Sequence, residues 1–64
     1  MTVLEFVNMW VDSDSLILRL WDMDKEEEVY AGYANELPFQ YEYAEVESFD
    51  LPVKAGEITL NISV

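Results

Sequence analysis

The chain has no cysteine and no histidine, 2 Gly, 2 Pro, and only 3 Lys and Arg residues in its 64 positions. The missing cysteine excludes a disulfide scaffold, a cysteine-ligated zinc finger and an iron–sulfur site. The missing histidine removes the commonest general base and metal ligand. Scarce glycine and proline argue against a repetitive or loop-dominated chain. Uncharged runs fall far short of the roughly 18 apolar residues of a membrane-crossing helix. No positively charged segment precedes the first apolar stretch, and Glu5 interrupts that stretch, so no secretory signal is expected. Starting at Met1, the chain is expected to be a complete small product of the (host) cytoplasm.

What is present is acid and apolar surface. Asp and Glu number 14, the formal net charge is −11, and 52% of residues are hydrophobic. That is too apolar for a disordered acidic tail, and the length allows one domain, residues 1–64. Arg19, Lys25 and Lys54 are the whole cationic supply. Phosphate contacts need many more, so direct nucleic-acid binding is not expected, nor is an anionic membrane surface. A basic protein, or the basic groove of a nucleic-acid enzyme, is the partner such a charge favours. The alternative is that the charge only keeps an apolar domain soluble.

Thr2 and Glu5 form a capping box, and Val3, Phe6, Val7 and Trp10 share one helical face, which predicts a helix over 2–11. Asp12-Ser13-Asp14-Ser15 ends it. Leu16–Trp21 predicts a strand with Leu16, Leu18 and Leu20 inward and Ile17, Arg19 and Trp21 outward. Residues 22–27 turn into a second strand, Glu28–Ala34. There Val29, Ala31 and Tyr33 are expected inward and Tyr30 outward, with Gly32 marking a bulge or a close backbone approach. Asn35–Tyr43 is expected to be an irregular or one-turn helical connection. Ala44–Leu51 is the third strand, with Val46 and Ser48 inward and Glu45, Glu47 and Phe49 outward. A hairpin loop, Pro52–Gly56, with Gly56 suited to positive φ, leads to Glu57–Val64. In that last strand Ile58, Leu60, Ile62 and Val64 alternate with polar residues. The expected fold is α+β in the order α-β-β-β-β: an N-terminal helix packed on a four-stranded antiparallel sheet. Its core would be Val3, Phe6, Val7, Trp10, Leu16, Leu18, Leu20, Val29, Ala31, Val46, Ile58, Leu60 and Ile62.

The segments SLILRLWD, VYAGYANEL, EVESFDL and EITLNI resemble a class of small acidic proteins encoded in phages and prophages of Gram-positive bacteria. The resemblance implies a non-enzymatic interaction protein. Among such proteins are inhibitors of host nucleic-acid machinery, DNA mimics included. It assigns no functional residue.

No catalytic residue, metal ligand or cofactor is expected. The serines have no histidine to activate them, and paired carboxylates need a substrate cleft to act. Asp12-Ser13-Asp14 and Asp22-Met23-Asp24 resemble fragments of calcium loops. Counting from Asp22, however, the sixth and twelfth positions are Glu27 and Tyr33 rather than Gly and Glu. From Asp12 the sixth is Ile17. Two surfaces remain. Glu45 and Glu47, about 6.8 Å apart on a regular strand, approach the roughly 6–7 Å spacing of successive phosphates. With Glu42 and Asp50 they make an acidic stripe for a basic partner, or merely a solubilising face. Ile17, Trp21, Tyr30 and Phe49, with Arg19 stacked on the indole or paired with Glu45 or Glu47, are expected to form the interface of a homodimer. The competing function is therefore a structural module that acts as a homo-oligomer.

Overall fold

The computed structural model describes residues 1–10, 12, 14–50 and 56–64. One short helix, α1 (Val3–Asn8), precedes four strands: β1 (Ile17–Asp22), β2 (Glu27–Tyr33), β3 (Glu45–Asp50) and β4 (Glu57–Ser63). Two single 3-10 turns, Ala34–Glu36 and Phe39–Tyr41, lie between β2 and β3. Ser13, Leu51 and the expected loop Pro52–Ala55 lie outside the described residues. Gly56, at the end of that loop, has the expected positive φ of 82°.

The capping box at the start of α1 forms as expected. The Glu5 amide donates to the Thr2 hydroxyl at 3.2 Å, and the Thr2 amide donates to the Glu5 carboxylate at 2.9 Å. The Val3 and Leu4 amides, which a helix start leaves without internal partners, donate to the carbonyls of Ala44 and Glu42. The helix is thus fastened by its N-terminus to the lead-in of β3. It is shorter than expected, with Met9 as its C-cap. Trp10 therefore falls beyond the helical face, stays exposed, and lies with its ring centroid 6.3 Å from that of Phe6.

The sheet order is β2-β1-β4-β3, and it corrects the wholly antiparallel expectation. The β1–β2 and β3–β4 hairpins are antiparallel, but β1 and β4 pair in parallel, Leu18 beside Ile58 and Leu20 beside Leu60. The physical reason is burial. β1 and β4 carry the most apolar inward faces, and the centre of the sheet is where both lose the most water. Acidic β2 and β3 are left at the edges, where charge discourages pairing with other chains. β2 and β3 then run in the same direction, so the chain must cross the sheet between them. A connection of about a dozen residues suffices for that, and residues 34–44 supply it. Its Leu37 and Tyr41 pack on the core beside α1. One sheet face is therefore covered by helix and crossover together, over a core of Val3, Val7, Leu16, Leu18, Leu20, Ala34, Ala44, Ile58, Leu60 and Ile62.

Two bulges change which residues face that core. In β2 the register passes from Leu20–Tyr30 to Trp21–Glu28, leaving Val29 without an opposite number. Tyr30 and Gly32 consequently lie on the core face, and Ala31 and Tyr33 lie on the open face, the reverse of the expectation. The Tyr30 ring covers Gly32 so closely that an added Cβ would sit 2.8 Å from the hydroxyl oxygen. That hydroxyl donates to the Tyr33 carbonyl at 2.8 Å. In β3 the register passes from Val46–Ile62 to Ser48–Asn61, with Glu47 the extra residue. Ser48 therefore faces outward, bonded to Asn61 at 2.9 Å, and Phe49 falls on the core side opposite Leu60.

Candidate functional site

The second face of the sheet is open. From β1 it carries Ile17, Arg19 and Trp21. β2 adds Tyr33, Ala31 and Glu28, and β4 adds Glu57, Thr59 and Asn61. Glu45, Ser48 and Asp50 of β3 complete it, as the register requires. At its centre Arg19 bridges two strands. Its Nη1 lies 3.0 Å from the Glu28 carboxylate on β2, and its Nε lies 2.9 Å from the Glu57 carboxylate on β4. The two bonds, that to Glu28 foremost, push the already high pKa of Arg19 further up. The expected partners of Arg19, Glu45 and Glu47, are not the ones found, and the guanidinium is committed to carboxylates rather than to the indole. The alternation of β1 and β4 had placed Arg19 and Glu57 outward. Their meeting depends on the parallel pairing, for which no local signal exists.

The expected acidic stripe is only partly assembled. Glu45 accepts a 2.7 Å hydrogen bond from the Met1 ammonium, which raises the amine's pKa. Glu47 is the bulge residue, so the regular two-residue repeat expected of Glu45 and Glu47 is broken there. Asp50 lies opposite Thr59 on the open face. Glu42 stands before β3, half-buried, with its carbonyl bonded to Leu4.

The expected dimer face is also divided. Ile17, Arg19 and Trp21 share the open face. Tyr30 lies beneath the sheet, half-buried against the core, where desolvation, with a smaller effect of the Glu36 charge, pushes its pKa up. Phe49, 57% exposed, is also on that side. In their place Tyr33, 48% exposed, joins Trp21, 40% exposed, on the open face. A separate aromatic pair sits on the crossover: Phe39 and Tyr43 meet edge to face at 6.4 Å and are largely exposed.

Asp22 is the acidic residue whose role the sequence least suggested. It is buried, and its Oδ1 accepts the amides of Asp24 and Lys25 at 2.9 and 3.2 Å, closing the β1–β2 turn. The cue lay in the Asp-x-Asp-Lys spacing, because Asp side chains commonly bond backbone amides two residues on. Glu26, at φ 54°, completes the turn. Asp12 and Asp14 bond Ser15 and Asn35 respectively. Among the described residues there is no pocket and no group of three or more residues arranged to hold a metal ion. Among the described residues no helix is long and apolar enough to cross a membrane. Compared with protein-family models, with curated proteins and with solved structures, the chain matches none of them.

Proposed function

We propose that this is a non-enzymatic acidic interaction protein that binds a basic protein surface. One observation carries the reading. The open sheet face presents Glu28, Glu45, Glu57 and Asp50 from three strands against the bridged Arg19 guanidinium and the Met1 ammonium on Glu45, and so stays net negative. Such a face is complementary to clustered Lys and Arg, and complementarity of this kind directs encounter and rejects acidic partners. The basic groove of a nucleic-acid enzyme belongs to this class of surface, which would make the protein an inhibitor by phosphate mimicry. The resemblance to small acidic phage and prophage proteins supports the same reading.

Binding to lysine- and arginine-rich proteins, followed from about 0.05 to about 0.3 M salt, tests it. A charge-led complex weakens steeply as ions screen it. Replacing Glu45 and Glu47 together with Gln should slow association while preserving the fold, because peripheral charges act mainly through the on-rate. Affinities that do not respond to salt would reject the reading. A second reading, self-assembly as the function, is favoured by the exposed Trp21, Tyr33, Phe39 and Tyr43. Sedimentation distinguishes the two, since an apolar assembly holds or tightens in salt.

A further inference from the structure

Trp21 is a large aromatic near the end of an interior strand, on the uncovered sheet face. Its register neighbours are Glu28 on β2 and Asn61 on β4. Arg19, two residues earlier on the same face, is hydrogen-bonded to Glu28 and Glu57. Neither of the two aromatic pairs among the described residues includes Trp21. An indole beside the Glu28 carboxylate, on a face of net negative charge, is a receptor for a cation, and for a planar guanidinium above all. The ring quadrupole attracts the charge, and the carboxylate accepts an N–H of the fork. Because Arg19 already fixes Glu28 and Glu57, less freedom is lost when a second cation arrives.

We propose that the open sheet face docks an arginine-bearing segment of a basic partner protein, with an arginine of that segment stacked on Trp21 beside Glu28. This rests on the reading of the protein as a binder of basic surfaces, and names the site and the recognised side chain. Charge selects this occupant over a second copy. Two copies meeting through this face would bring together surfaces that each carry Glu28, Glu45, Glu57 and Asp50 against Arg19 and the Met1 ammonium, and like net charges oppose association.

The test uses oligoarginine and oligolysine peptides of equal length. The Trp10→Phe variant leaves Trp21 as the sole fluorescent tryptophan. The expected result is tighter binding of the arginine peptide, by about two- to fivefold, with a change in Trp21 emission. Trp21→Leu should remove that preference while leaving charge-driven binding. Amide shift mapping on the unmodified protein keeps the test independent of variant folding: shifts centred on residues 17–21 and 57–61 support the site, and shifts centred elsewhere overturn it. Equal affinities with unchanged Trp21 emission would overturn the site but leave the charge-led reading standing. Binding of neither peptide would remove both. A dimer in sedimentation that shields Trp21 would assign the face to a second copy instead.

Discussion

Tyr30 and Gly32 show how one side chain sets another residue's identity. The Tyr30 ring lies over Gly32 on the core face, and its hydroxyl caps the Tyr33 carbonyl. A methyl group at position 32 would displace that hydroxyl and break its bond. Gly32→Ala should therefore destabilise the protein by about 1 kcal/mol, the usual net worth of one such bond. The cost should shrink in a Tyr30→Phe background, where there is no hydroxyl to displace. Denaturant titration of the double-mutant cycle reads the coupling, and strict additivity would count against the contact. Burial raises the Tyr30 pKa above its ordinary value of 10.0. The folded state thus favours the neutral phenol, and its contribution is complete below about pH 10 and declines above it.

For the elements, the helix is the one that depends most on its ends. Six residues are too few for a helix to persist alone; α1 holds because its capping box closes and its first amides bond to Glu42 and Ala44. Thr2→Ala should cost about 1 kcal/mol, measured by thermal or denaturant unfolding. The bonds from Thr2, the backbone amide first, hold the Glu5 carboxyl below its ordinary value of 4.5. A depressed carboxyl pKa contributes stability in full above the unfolded value and loses it as the pH falls through the folded one. The stability of the parent protein should accordingly drop below about pH 4.5 more steeply than that of Glu5→Gln, since the Thr2 backbone amide that chiefly lowers the Glu5 pKa would survive Thr2→Ala. Identical acid limbs in the two proteins would contradict the capping assignment.

Over the whole molecule, charge works against compactness. A net charge of −11 on 64 residues makes self-repulsion a destabilising term. Salt also screens the two exposed Arg19 pairs, but surface pairs are each worth only about 0–1 kcal/mol. With 14 acids against 3 bases, relief of repulsion is the larger effect. The melting temperature should rise as NaCl is added to about 0.5 M, where the Debye length is roughly 4 Å. It should rise also on acidification towards about pH 5, before the Glu5 contribution is lost. A melting temperature that falls on adding salt would show that specific ion pairs outweigh repulsion.

Local chemistry was enough for the elements, though not for the C-terminal end of the helix. The Thr2–Glu5 box, the inward leucines of β1, the alternation of β4, the irregular crossover and the positive φ of Gly56 were all legible from neighbouring residues. Composition alone set the charge. Long-range pairing decided the rest. Whether β1 lies beside β4, and in which direction, depends on burying the two most apolar strands together, a property of no single segment. The bulges at Val29 and Glu47 each add one residue, and one residue reverses every side chain beyond it. That reversal carried Tyr30 and Phe49 to the core side and brought Tyr33 out onto the open face, opposite Ile17. The Glu57 end of the Glu28–Arg19–Glu57 bridge likewise exists because β1 and β4, distant in sequence, became neighbours in the sheet.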